Sequence, residues 1–171
     1  MKRGIGIILC LLTLACAGGL NKTFSPRELG QLTYPSDFTD QGWVRLTDGL
    51  YEAPVVPGSA SMVRIALMPE MAMGDLNGDG GDDAVVVLES WSGGSGTFYH
   101  LVAVLNGDKG LSPVSQLYLG DRIRVQSLRI ESGRIQVRFL DRAADAPMMA
   151  EPTIPRTCWL ELTEGNGFQQ P

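Results

Sequence analysis

The chain of 171 residues holds one histidine and three cysteines, and each shortage removes a class of function. His100 stands alone, with no Cys/His pair at zinc spacing and no neighbouring nucleophile, so neither a zinc centre nor a nucleophile–imidazole pair can be assembled from sequence neighbours. Cys10, Cys16 and Cys158 are too few for a disulfide framework. Basic runs are missing as well: 14 Lys and Arg stand against 19 Asp and Glu, a net charge of −5. That balance disfavours nucleic acid or anionic lipid as a partner and suits divalent cations or a basic protein. No apolar run reaches the roughly 20 residues that a membrane-spanning helix needs. Ser95 lacks the G-x-S-x-G elbow of a serine hydrolase, and no paired carboxylates have a spacing that the sequence fixes. A binding protein is expected, not an enzyme.

The first residues read as an export signal. Met1-Lys2-Arg3 is positive, and residues 5–14 are apolar apart from Gly6 and Thr13, which fits a signal peptide over residues 1–17. Leu12-Thr13-Leu14-Ala15-Cys16 resembles a bacterial lipobox, which would make Cys16 the lipidated first residue of a membrane-anchored protein. Ala15-Cys16-Ala17 equally satisfies an A-x-A cleavage site and would release a periplasmic or secreted product. Loss of Lys2 and Arg3 leaves 12 basic against 19 acidic residues, a net of −7. Cys158, beside Trp159 and Leu160, reads as a buried, inert thiol.

Residues 18–40 carry Pro26 and Pro35 with little periodicity and read as a lead-in or linker, with one short helix near residues 26–29. From there short apolar runs recur between Gly, Pro, Asn and Asp, the pattern of an all-β domain over residues 41–165. About 8 antiparallel strands in a β-sandwich or flattened barrel are expected, followed by a polar tail over residues 166–171. Residues 62–68 alternate and end at Pro69. Residues 84–89 are apolar without alternation, as in a central strand covered on both faces, and pair across WSGGSG with residues 97–105. A parity slip near Gln126-Ser127 predicts a β-bulge. Residues 143–155 form a long loop carrying Met148 and Met149.

The densest chemistry is Asp75-Leu-Asn77-Gly-Asp79-Gly-Gly81-Asp82-Asp83. Oxygen-bearing side chains fall at loop positions 1, 3, 5 and 9, with glycine at position 6 where the turn is sharpest. A hard cation such as Ca²⁺ takes six to eight oxygens at about 2.3–2.6 Å, which this coiling can deliver. Asp75, Asn77, Asp79 and Asp83 would bind by side chain and Gly81 by its carbonyl, with Asp82 left to solvent. An acidic, glycine-rich turn holding no metal is the other reading. Val86 at position 12 excludes an EF-hand. The spacing resembles the D-x-[DN]-x-D-G-x-x-D loops of FG-GAP and integrin-like calcium sites, whose last ligand leads directly into a strand.

Two further resemblances extend beyond the loop. Leu46-Thr47-Asp48-Gly49, Gly58-Ser59-Ala60, the acidic loop, Gly94-Ser95-Gly96-Thr97-Phe98 and Leu119-Gly120-Asp121-Arg122 together resemble a set of uncharacterised exported bacterial β-domains, which carry no known activity. Residues 72–105 look similar to the periplasmic inhibitors of invertebrate-type lysozyme. Those inhibitors are β-sandwiches, and lysozyme inhibitors of several kinds insert an S-G-x-x-Y loop into the enzyme cleft. The resemblance makes Ser95, Gly96 and Tyr99 the partner-binding residues, with the Ser95 hydroxyl at the tip and Tyr99 as an aromatic prop beneath it. The expected function is an exported calcium-binding module of structural or protein-interaction type with a protein or glycan partner at the cell envelope, and the alternative is a lysozyme inhibitor using residues 91–99.

Overall fold

The computed structural model describes residues 23–171, so the signal segment at 1–17 and Cys16 lie outside the described residues. Helix α1, Pro26–Leu29, is short and well started: Ser25 and Glu28 form a capping box and Pro26 opens the first turn. Eleven strands follow: β1 Thr33–Pro35, β2 Trp43–Arg45, β3 Leu50–Pro54, β4 Met62–Gly74, β5 Asp83–Trp91, β6 Phe98–Gly107, β7 Gly110–Asp121, β8 Arg124–Glu131, β9 Arg134–Asp141, β10 Ile154–Leu162 and β11 Phe168–Gln169. All pairings are antiparallel. The large sheet has the order β3-β4-β5-β6-β7 and the smaller one β11-β10-β9-β8, while β1 and β2 form a two-stranded ribbon. Neither large sheet closes on itself, so the sandwich stands and the flattened barrel does not.

The large sheet is dry on both sides. Val85, Val87, Leu101 and Ala103 face the smaller sheet and meet Val125, Leu128, Ile135, Val137, Phe139 and Leu160. Ala84, Val86, Leu88, Val102 and Val104 point the other way, onto Leu29, Tyr34, Val44 and Leu46. Alternate side chains of one strand therefore enter two different cores, which is why β5 shows no polar alternation. The expected pairing of β5 with β6 is present, running from Ala84 opposite Val104 to Ser90 opposite Phe98. The predicted bulge falls between Val125 and Ser127.

Four expectations need correction. The strand count is higher than 8, because β1 and β11 contain only three and two residues and lack a readable period. Residues 23–40 do not behave as a linker: Leu29 and Tyr34 are fully buried in the second core, and the Tyr34 hydroxyl donates to the Leu29 carbonyl at 2.8 Å. Pro69 does not end its strand. β4 runs through it to Gly74, with the register shifting between Leu67 and Met71, so the missing N–H falls where the ladder is already interrupted. Finally, the tail contributes β11, whose Phe168 pairs with Leu162 and packs against the first core.

At one margin the two sheets come close. A Cβ on Gly74 would sit 3.0 Å from Ile130 Cγ2, so glycine at the end of β4 sets how near β8 can lie. Gly74 is also the residue from which the acidic loop departs.

Candidate functional site

The loop between β4 and β5 is organised by its own backbone N–H groups. Gly78 and Gly80 N–H donate to Asp75 Oδ1 and Oδ2 at 2.7 and 3.0 Å. Asp79 N–H donates to Asn77 Oδ1 at 2.9 Å, and Gly81 N–H to Asp79 Oδ1 at 2.7 Å. Gly78 and Gly80 hold φ of 81° and 83°, a left-handed conformation that costs a Cβ-bearing residue roughly 1 kcal/mol or more. The glycines at positions 4 and 6 are thus what lets the chain coil around Asp75. Leu76 points inward and joins the first core, pinning the loop to the sandwich.

Asp83 closes the loop from beneath. It is 1% exposed, and its two oxygens accept the N–H of Leu76 at 3.0 Å and of Asn106 at 2.9 Å. Burial pushes its carboxyl above the ordinary range and the charges of Asp79 and Asp75 push the same way, against the two N–H donors. The Gly81 N–H, followed by the Asn77 amide, holds Asp79 below that range. Asp82 is exposed.

Among the described residues no three His, Cys, Asp or Glu side chains group as a metal-holding cluster. The three carboxylates of the expected donor set, Asp75, Asp79 and Asp83, are therefore not gathered into such a cluster here, and the set is completed by the Asn77 amide oxygen and the Gly81 carbonyl. It suits a hard, oxygen-seeking cation, because each carboxylate offers about four lone-pair positions and the loop N–H groups take at most one per oxygen here. Asn106 was missed by the sequence reading. It braces the loop from β6, donating its N–H to Asp83 and its Nδ2 to the Asp82 carbonyl at 3.3 Å. No local pattern announces it, because the contact spans 23 residues.

The second candidate element, residues 91–99, lies at the other end of β5, roughly 27 Å away at about 3.4 Å per strand residue. Trp91 Nε1 donates to the Gly94 carbonyl at 2.8 Å and folds the loop back on itself. Thr97 N–H donates to Asp121 Oδ1 at 2.9 Å and anchors its far side. Ser95 is exposed at the tip. The aromatic prop is Phe98 in place of Tyr99: a Cβ on Gly96 would fall 2.5 Å from Phe98 Cζ. Strand alternation turns Tyr99 to the opposite face, where it packs on the first core and its hydroxyl donates to Glu89 Oε2 at 2.9 Å. Burial, then that bond, raises the phenol's pKa.

His100 is buried beside Tyr118 and Phe38, with ring centroids at 5.4 and 6.2 Å. Burial lowers its pKa, with the charge of Asp37 acting in opposition. Cys158 is partly buried and packs against the first core. No protein-family model, no curated protein and no solved structure matches the chain.

Proposed function

We propose that the protein is an exported β-sandwich that binds one Ca²⁺ in the loop from Asp75 to Asp83 and serves as a structural or protein-interaction module at the cell envelope. One observation carries this reading. Oxygens at positions 1, 3 and 5 are held by the loop's own N–H groups, while position 9 is a buried acid at the root of the most enclosed strand. A cation there would offset the mutual repulsion of Asp75, Asp79 and Asp83 and tie β4 to β5. Asp75, Asn77, Asp79 and Asp83 are the proposed side-chain ligands, with Gly81 contributing its carbonyl. Catalysis is not proposed, since the sole imidazole is enclosed by aromatic rings.

Calorimetric titration of the mature protein with CaCl₂ tests it. One-to-one binding is expected, lost in Asp75→Ala plus Asp79→Ala, with a stability gain of about 2.7 kcal/mol at about 100-fold excess over Kd. Heat-silent titration together with an unchanged Tm refutes it. Export and lipidation at Cys16 are part of the same proposal, and fatty-acid labelling that is absent from the native chain, or that survives Cys16→Ala, would refute lipidation at Cys16.

A second reading, lysozyme inhibition, is favoured by the tied-back loop with Ser95 at its tip. A panel of lysozymes acting on bacterial cell walls is the assay. Inhibition that Ser95→Ala weakens is expected on this reading, and no inhibition of any enzyme rejects it.

A further inference from the structure

Four connections gather at the end of the sandwich opposite the acidic loop. They are residues 55–61 after β3, 92–97 after β5, 122–123 after β7 and 142–153 after β9. They touch one another: a Cβ on Gly93 would lie 3.2 Å from Ser61 Cβ, Arg122 N–H donates to the Thr97 carbonyl at 2.6 Å, and Arg122 Nη1 donates to the Met148 carbonyl at 3.0 Å. The four loops therefore form one surface.

That surface carries most of the exposed large apolar side chains among the described residues. Val55, Val56, Trp91, Met148 and Met149 are exposed on it, Met149 at 95%, and exposed Trp43 borders it across a hollow shared with Pro54 and Val55. Among the described residues, the other exposed large apolar side chains are only Met73, Tyr118 and Trp159. Single exposed apolar residues need no explanation, whereas a cluster on mutually braced loops marks an interaction surface.

Charge says what kind of partner fits. Arg64 is paired with Glu52 and Glu89 at 3.4 and 3.5 Å, Arg122 with Asp121 and Arg124 with Glu151 at 3.2 Å, whereas Arg142 bonds only the neutral Ala146 and Pro147 carbonyls and exposed Arg45, beside the same hollow as Val55, has no ion pair among the described residues. Asp37, Asp40 and Asp145 are exposed and have no ion-pair partner among the described residues. These three acids outnumber the two uncompensated arginines, Arg45 and Arg142, so the residual charge is slightly negative, which disfavours an anionic bilayer.

We propose that this four-loop end docks a basic protein, its apolar side chains entering a hollow that the partner rings with Lys and Arg. The proposal rests on the reading of the molecule as a protein-interaction module and widens the contact well beyond residues 91–99. The unpaired acids steer the encounter and the apolar tips hold the complex.

The probe is a panel of purified basic lysozymes, with cytochrome c as a basic protein lacking a cleft, in binding titrations with the full chain. Binding of at least one lysozyme is expected. Val56→Ser plus Met149→Ser should weaken it by about tenfold or more, and Asp40→Asn plus Asp145→Asn should slow association and flatten its salt dependence. Both pairs alter exposed side chains, and unchanged Tm values verify that folding is intact. If no lysozyme binds, this proposal and the inhibitor reading both fall. If binding is lost with Ser95→Ala but untouched by Val56→Ser plus Met149→Ser, the inhibitor reading stands and this proposal is overturned. Equal binding of cytochrome c, or binding only to phosphatidylglycerol vesicles, overturns it too.

Discussion

Asp83 answers two needs at once. It satisfies the N–H groups of Leu76 and Asn106, and it places a carboxylate under a loop already holding Asp75 and Asp79. Asp83→Ala orphans two donors at a buried position, so a loss of about 2–4 kcal/mol is expected in urea unfolding, with Asp83→Asn milder because one acceptor survives. The acid itself was legible from its spacing, whereas its partner Asn106 was not, since a long-range hydrogen bond leaves no periodic trace. Tyr99 shows the converse: a motif named it, but strand alternation sends its ring away from the loop and puts Phe98 there instead. His100 yields a pH prediction. Its folded pKa lies below the ordinary 6.5, so as pH falls below that value the unfolded chain takes up a proton that the folded chain still refuses. Its contribution to stability is therefore full above about pH 6.5 and is lost as pH falls through the folded pKa. His100→Phe should flatten the difference in unfolding free energy measured at about pH 7.5 and about pH 5. An equal slope in both proteins refutes the assignment.

At the scale of elements, β5 was readable because burial on two faces erases polar alternation, and the bulge in β8 was readable because parity visibly slips. Val86→Ala and Val87→Ala remove methyl groups from opposite cores, and each should cost about 2 kcal/mol. Their effects should add in a double mutant, as expected when the two cavities lie on opposite sides of the sheet. β4 was misjudged at Pro69 because proline ends most strands, and only the partner's register reveals an interruption that accommodates it. Gly74→Ala tests the contact of β4 with β8. Its Cβ meets Ile130 Cγ2 at 3.0 Å, so a loss of about 1–3 kcal/mol should appear in denaturant unfolding, and Ile130→Val, which keeps Cγ2, should give no relief.

In the whole molecule the large sheet divides two cores, and the second exists only because the N-terminal layer covers it. Leu29, Tyr34, Val44 and Leu46 are isolated apolar residues within short segments, which is why no sequence window marked residues 23–40 as part of the fold. A chain beginning at Gln41 loses Leu29 and Tyr34 from that layer. It should unfold with a Tm lowered by more than about 10 °C and should bind a hydrophobic dye, because these side chains supply several kcal/mol of a total near 5–15 kcal/mol. Cooperative unfolding at an unaltered Tm would show the layer to be dispensable. A membrane of side chains on either side also keeps solvent isotope away from the middle strand. In D₂O the amides of Val85, Val86 and Val87 should be the last to exchange, reporting the global opening of the protein while the loops at both ends have long since equilibrated.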